Sequence, residues 1–267
     1  MTGLLDAMPS LYVVPAWVLL VLAVALAAAA ACGGLYFVRR AFPEVDFRAH
    51  NDVGGIVVGI VGGLFAVTVA FIVALVWQEF DQTTQRVSIE AAAATDLWHT
   101  SSGLPQPIRR TVRTGLRAYA RAMVDDEWKA MRSGGSSARA EAVLTAVFED
   151  VARFRPRDGG ASNAQAASLQ HLADLHDARH HRLEDNRSGV DPFEWTILMI
   201  GAIAVIAFCY LVGLQDLRVQ YVMTGVAAAV IASMFVLIFE LDYPFRGDLS
   251  VTPAPWHEFL DANTSTL

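Results

Sequence analysis

Long runs of apolar residues occupy both ends of the chain. Four of them lack Asp, Glu, Lys and Arg and reach the roughly 20 residues that a helix needs to cross a bilayer. These segments are 11–38, 54–77, 195–214 and 219–239. They form two pairs, and a short polar loop joins the members of each pair. We therefore predict four transmembrane helices in two hairpins, at residues 1–78 and 195–239.

The polar region between the hairpins, residues 79–194, has the periodicity of helices. Its apolar residues recur at spacings of three and four, and no segment alternates with the period of two that a strand requires. One such stripe consists of Ile108, Val112, Leu116, Tyr119 and Met123. The region predicts a helical extramembrane module, and residues 240–267 are predicted to form an acidic C-terminal tail. The predicted fold class is an all-α integral membrane protein.

The second apolar segment continues without a helix breaker into charged sequence, FIVALVWQEFDQTTQRVSIEAAAATDLWH. One helix from Gly54 to about Ser102 would span roughly 70 Å at 1.5 Å per residue. Glu79 and Asp81 stand where lipid gives way to water. They are either the hydrated end of a membrane helix or, in an assembly around an axis, a ring of carboxylates that concentrates cations at a pore mouth.

The same segment carries rows of small residues. Gly55, Gly59 and Gly63 lie four apart, and Gly62, Ala66, Ala70 and Ala74 form a neighbouring row. Small residues let helices approach closely in lipid, where packing drives their association. The rows indicate either simple helix–helix packing or a pore-lining helix around which several subunits pack.

Large apolar residues on the remaining surface of this helix are candidates for a constriction. Phe65, Phe71 and Ile72 could narrow a pore, because hydrophobic constrictions gate by losing their water. Periodicity leaves open which of these side chains faces an axis.

A charged turn follows the fourth apolar segment. Pro244 and Gly247 force the chain to turn there. The charged residues around this turn are Glu240, Asp242, Arg246 and Asp248. They predict a local ion-pair network, and the alternative is that they brace a pore exit or supply carboxylates to it.

Composition narrows the function classes. With 54% hydrophobic and 18% charged residues, the chain is too apolar for an ordinary soluble domain, and no basic block suggests nucleic-acid binding. His176 and His180 share a helix face and could supply two zinc ligands, but a zinc site needs three or four. We favour a solvated histidine-rich face and predict no metal and no cofactor. No nucleophile or phosphate-loop motif occurs, so we expect no catalytic residues and no enzyme.

Two segments resemble a bacterial bestrophin-like domain family. VALVWQEFDQTTQRVSIEAAAATDLWHTSSGLPQPIRR is similar to the family's apolar helix with an acidic exit, a Glu-Ala-rich run and a Leu-Pro-x-Pro helix start. FELDYPFRGDLSVTP (239–253) is similar to its segment after the last membrane helix. The order of hairpin, module and hairpin extends the resemblance over most of the chain.

The resemblance implies a homo-oligomeric ion channel, pentameric as bestrophins are, with the second helix lining the pore. Lipid bilayer, further copies of the chain and inorganic ions are then its partners. The resemblance does not fix the ion, and the acidic exit slightly favours cations. The chain is shorter than bestrophins and has no obvious acidic calcium loop, so calcium gating is not expected.

Two further expectations accompany this interpretation. The resemblance implies the inner membrane of a bacterium, with the module in the cytoplasm. The alternative function is a non-conducting membrane scaffold or stress sensor that binds a partner through the helical module.

Overall fold

The computed structural model describes residue 12, residues 14–45, residue 47 and residues 51–263, and the regular structure within these ranges is helical. The helices are α1 (Ala16–Ala41), α2 (Asn51–Thr100), α3 (Ile108–Ala122), α4 (Trp128–Met131), α5 (Ala138–Arg153), α6 (Gly159–Asp185), α7 (Pro192–Leu211), α8 (Leu217–Asp242) and α9 (Ala254–Ala262). The predicted all-α class is confirmed.

Four of the described helices are long and apolar enough to cross a membrane, namely α1, α2, α7 and α8. They coincide with the four predicted segments, although their ends shift by a few residues. Helix α1 begins after Pro15 and continues through Arg39 and Arg40. Positive charges in the last turn of a helix interact favourably with its dipole, which explains why this helix ends later than its apolar run.

The described residues divide into two compact units. The membrane unit comprises the described residues up to 78, residues 189–242 and residues 247–249. The extramembrane unit comprises residues 79–188, residues 243–246 and the described residues from 250 onward. The segment predicted as a tail therefore contributes to both units.

Close helix packing in the membrane unit depends on small residues. The most extensive contact joins α1 to α8, and the buried residues include Ala31 on α1 and Ala228 on α8. Helix α7 packs against both of these helices. The phenol of Tyr210 on α7 occupies the space that a Cβ at Gly34 would need. A larger residue at Gly34 would therefore separate α1 from α7.

The core of the extramembrane unit includes the predicted apolar stripe of α3. Its buried members are Val112, Leu116, Tyr119 and Met123, and Ile108 packs against them. Helix α9 completes this core, although its residues were predicted only as tail. The Trp256 side chain on α9 is fully buried, and its ring lies 5.3 Å from that of Tyr119 between centroids, in an edge-to-face arrangement.

Side-chain caps fix the starts of three helices. Ser137, Asp158 and Asp191 accept hydrogen bonds from backbone N–H groups in the first turns of α5, α6 and α7, respectively. These bonds satisfy donors that a helix start would otherwise leave unpaired. Asp191 and Pro192 thus start the third membrane helix three residues before the predicted apolar segment at 195–214.

Truncating Trp256 tests the contribution of α9. We expect Trp256→Ala to lower the free energy of unfolding of the extramembrane unit by about 3–5 kcal/mol, because it empties a fully buried aromatic site. Thermal unfolding of the purified protein in detergent measures the effect. Glu258→Ala, at an exposed position of the same helix, is the matched control. Equal stability of the two variants would show that α9 is not part of the core.

Candidate functional site

Helix α2 is 50 residues long and connects the membrane sequence to the extramembrane sequence without a break. At 1.5 Å per residue its length is about 75 Å. A 3-10 turn at Ser101–Gly103 follows it, and Leu104 is then extended. The residue before a proline avoids the helical conformation, so Pro105 explains why the helix stops there. The predicted continuous helix is confirmed.

One face of α2 is exposed along the helix. Its residues recur at spacings of three and four, which keeps them on one side. This face, called the open face below, comprises Ile60, Leu64, Val67, Phe71, Leu75, Gln78, Gln82, Gln85, Ile89 and Ala92. It is apolar up to Leu75 and carries three uncharged glutamines beyond it. Buried residues such as Val76 and Val87 occupy the opposite side.

The three constriction candidates do not share a side of α2. Phe71 belongs to the open face, and 67% of its surface is exposed. The Phe65 ring lies against Gly201 on α7, where it fills the space of a Cβ. Ile72 is half-buried, and it lies about 20° around the helix from Phe65. Only Phe71 is therefore free to face an axis formed by several copies of α2.

The two acidic candidates point in different directions. Glu79 and Asp81 are both exposed, but two residues correspond to about 200° around a helix. The Glu79 carboxylate accepts a hydrogen bond from the Ser188 hydroxyl at 3.4 Å. The Asp81 carboxylate accepts one from the Gln85 amide at 2.8 Å, on its own helix. The two carboxylates therefore cannot both face one axis.

The glycines of α2 do not pack against another described part of the chain. A Cβ added at Gly55, Gly59, Gly62 or Gly63 would meet no described atom within 4 Å outside its own stretch of helix. Ala66, Ala70 and Ala74 border an open apolar cleft of about 700 Å³ between α2 and α8. The small-residue surface is thus open in a single chain.

The row of small residues leads to Asp81. Gly63, Ala70, Ala74 and Asp81 are separated by seven, four and seven residues, so they lie on one side of α2. Of the two acidic candidates, Asp81 therefore continues the small-residue surface beyond the membrane sequence.

A buried ionic network holds the other side of α2 within the extramembrane unit. The side chains of Glu90, Glu127 and Arg182 are fully buried. Arg182 Nε donates to Glu90 Oε2 at 2.6 Å, and Arg182 Nη2 donates to Glu127 Oε1 at 3.1 Å. Arg179 lies 3.1 Å from Glu127, so two guanidinium groups balance the two buried carboxylates. Arg179 also pairs with the half-exposed Glu141, so each buried charge has a partner of opposite sign.

Tyr119 completes the network. Its hydroxyl donates to Glu90 Oε1 at 2.7 Å. Burial, followed by the negative charge of Glu90, raises the pKa of Tyr119 well above its usual value. Burial opposes the charge of Arg182, but Glu90, Tyr119 and Glu127 together outweigh burial and raise the pKa of Arg182 above its usual range. The phenol therefore stays a donor and the guanidinium stays charged at physiological pH.

A π-helical turn, Met123–Glu127, brings Glu127 into this network. Such a turn widens the helix locally, and π-turns are frequent at functional sites. Glu127 also accepts a hydrogen bond from the backbone N–H of Ser137, the residue that caps α5. A single carboxylate thus joins the arginines of α6 to the start of α5.

Sequence reasoning missed this network because HLADLHDARHHRLED is polar and rich in histidine. The missed signal is the spacing of Leu172, Leu175, Arg179 and Arg182, which continues the apolar stripe of α6 with two arginines. These four side chains are buried.

The histidines of α6 lie elsewhere. His176 and His180 are exposed, and His180 pairs with Glu184 at 3.2 Å. Within the described ranges, no three His, Cys, Asp or Glu side chains are grouped as a metal site would require.

The charged residues after α8 have separate partners. Asp248 accepts a hydrogen bond from the backbone N–H of Ala16 at 2.8 Å and so caps the start of α1, while Asp242 accepts one from Val190. The Arg246 guanidinium lies 4.1 Å from the centre of the Tyr243 ring. Glu240 is buried beside Gly247, whose φ of +73° favours glycine. An ion-pair network among the four charged residues stays a prediction.

Comparison with known proteins identifies the fold. A family model, the bestrophin-like domain, matches residues 25–256. Among solved structures, a variant of a bacterial bestrophin homologue from Klebsiella pneumoniae has a TM-score of 0.66 and 14% sequence identity, covering 94% of this chain and 99% of that one. Another crystal structure of a bestrophin homologue from the same organism has the same score and identity, with coverage of 93% and 98%. No curated protein matches the chain.

A double-mutant cycle tests the buried network. We expect Arg182→Met to destabilise the protein by about 3–5 kcal/mol, because it leaves Glu90 buried without its charged partner. Glu90→Gln removes the corresponding negative charge. The double variant should lose less stability than the sum of the single variants, by about 1 kcal/mol or more. Thermal unfolding in detergent gives these values, and strict additivity would contradict a coupled pair.

Proposed function

Because the chain belongs to the bestrophin-like family, we propose that it is a homo-oligomeric ion channel, with the open face of α2 turned towards the axis. We further propose a pentamer in the inner membrane of a bacterium, with the extramembrane unit in the cytoplasm. Inorganic ions are then the transported species, and the lipid bilayer and neighbouring subunits are the contacts of the membrane unit.

The open face of α2 is the observation that carries this proposal. Beyond Leu75 it carries three uncharged glutamines, Gln78, Gln82 and Gln85, which can solvate a passing ion without trapping it. Within the extramembrane unit, the buried pair of Glu90 and Arg182 fixes another side of the helix. Several copies of such a helix around an axis would form an apolar passage followed by a polar one.

Phe71 is the proposed constriction. It is the aromatic side chain of the open face, and an apolar ring of this kind can empty of water when narrow. Phe65 and Ile72 are proposed to support the wall of the passage, since Phe65 contacts Gly201 on α7.

Asp81 is the proposed selectivity group, and it favours cations over anions. It borders the open face beside Gln85, whose amide donates a hydrogen bond to it, and one copy from each subunit would form a ring of carboxylates at the edge of the passage. Glu79, bonded to Ser188, is proposed to brace the segment that precedes α7. The small residues from Gly55 to Ala74 would provide the contact between subunits, because their surface is open in one chain.

Neutralising each acid separately tests the selectivity assignment. Purified protein in liposomes should conduct, and Asp81→Asn should lower the cation-to-anion permeability ratio. Glu79→Gln is the matched control, with the same loss of charge two residues away, and should change the ratio less. Reversal potentials under salt gradients give the ratio. The same ratio in both variants and in the original protein would remove Asp81 from selectivity.

Truncating Phe71 tests the constriction. Phe71→Ala should raise ion flux, because a smaller side chain lets water fill the passage. Leu64→Ala, on the same face but two helical turns away, is the control for a general loss of apolar surface. Stopped-flow flux from loaded liposomes measures the effect. No flux above that of empty liposomes in any variant would favour the non-conducting scaffold.

A further inference from the structure

Helix α3 carries an unusual concentration of positive charge. Its sequence, IRRTVRTGLRAYARA, contains five arginines and no acidic residue. Arg109, Arg113 and Arg117 are spaced by four residues and therefore follow one side of the helix, called the arginine row below. Like charges at this spacing repel one another and weaken a helix. Arg109 and Arg110 also lie in the first turn, where the helix dipole is itself positive.

The fold holds the arginine row in place with neutral groups. Arg109 Nε donates to the Leu104 carbonyl at 3.0 Å. Arg113 Nε and Nη2 donate to the hydroxyls of Ser101 and Ser102 at 3.1 and 2.9 Å. Arg117 donates to the backbone carbonyl of Asn263. Each guanidinium is thus oriented by hydrogen bonds that leave its charge unneutralised.

Trp98 packs under two of these side chains. The guanidinium carbons of Arg113 and Arg117 lie 4.7 and 5.1 Å from the centre of its ring. Stacking on an aromatic ring orients a guanidinium group and leaves its edge free to donate hydrogen bonds. Trp98 thus holds the arginine row from one side. The other side is accessible, since the three arginines are partly exposed.

The arginine row has no carboxylate partner in the described part of the chain. None lies there within 4.0 Å of the guanidinium nitrogens of Arg109, Arg113 or Arg117. Partial burial lowers the pKa of Arg113, and the positive charges of Arg109 and Arg117 lower it further. Arg117 Nε is buried and has no hydrogen-bond acceptor within the described ranges. The positive charges of the arginine row thus repel one another in the folded protein, and a bound anion would relieve this repulsion.

We propose that the arginine row, with the Ser102 hydroxyl beside it, binds a phosphate group of an anionic ligand. Arginine suits this role because its planar fork binds phosphate oxygens through two parallel hydrogen bonds. The row's own hydrogen bonds leave Nη1 of Arg113 and both Nη groups of Arg109 available for such contacts. A phosphate could come from a soluble ligand or from a lipid headgroup, and both share this chemistry.

Calorimetric titration of the full-length protein in detergent with inorganic pyrophosphate at low ionic strength tests the site. We expect saturable binding that weakens roughly tenfold or more in Arg113→Gln, because a charged donor pair is lost. Arg110 is exposed and lies beside the row, so Arg110→Gln removes a neighbouring positive charge at a position where a folding defect is not expected. This variant should also weaken binding. Arg132→Gln, an exposed arginine outside α3, is the matched control and should bind as the original protein does.

Two further experiments test whether the planar guanidinium fork is needed and whether the phosphate belongs to a lipid or to a soluble ligand. Arg113→Lys keeps the charge but loses the fork, so it should restore only part of the affinity. In nanodiscs that contain phosphatidic acid, weaker pyrophosphate binding than in neutral nanodiscs would assign the site to a lipid headgroup, and equal binding would assign it to a soluble ligand. Absence of saturable binding to the original protein, or equal weakening in Arg113→Gln and Arg132→Gln, would overturn the proposal. A changed oligomeric state in Arg113→Gln without pyrophosphate binding to either protein would overturn it in favour of a subunit contact.

Discussion

The ionic network of Glu90, Glu127, Arg179 and Arg182 is the constraint on which the extramembrane unit depends. It lies inside a helical core, where an unpaired charge would cost several kcal/mol. Glu90 belongs to α2, Glu127 to the π-turn after α3, and both arginines to α6. Apolar packing tolerates small rotations of a helix, whereas bonds of 2.6 and 2.7 Å to Glu90 fix one side of α2. Within the extramembrane unit, the exposed Gln82, Gln85 and Ile89 lie away from the side of α2 that this network holds.

This constraint explains how α2 can serve two environments. Its packed side changes from apolar residues such as Val69 and Val76 to the buried Glu90. Its open face changes from Phe71 and Leu75 to the glutamines. The same helical register is kept through both changes, because no proline, π-turn or other break interrupts the helix between Asn51 and Thr100. The change in residue type along α2 therefore takes place within one continuous helix.

Much of this architecture could be predicted from the sequence. The four apolar segments, the unbroken α2 and the stripe of α3 followed from hydrophobic length and period, since these are the properties that burial and lipid select. Helix α9 was not predicted, because nine residues around Trp256 carry too little periodicity to distinguish a docked helix from a tail.

The candidate site was only partly accessible in this way. Helical geometry alone places Glu79 and Asp81 about 200° apart, so the sequence could have separated them. The side that faces the core was not accessible, because it depends on where Gly201 meets Phe65 and where Arg182 meets Glu90. These contacts join residues far apart in the chain, and buried arginines have no signature in a polar helix.

Water accessibility along α2 is the measurement that tests the central claim most directly. Single cysteines would be introduced after replacement of Cys32 and Cys209, the cysteines of the chain, and labelled in liposomes with a charged thiol reagent. If the open face lines the passage, cysteines at Phe71, Gln78 and Gln82 should react and block flux, while those at Ile72 and Val76 should not. Reaction at Ile72 and Val76 instead of at the open face would contradict this account. So would the absence of any reaction at Phe71 and Gln78 in a protein that conducts.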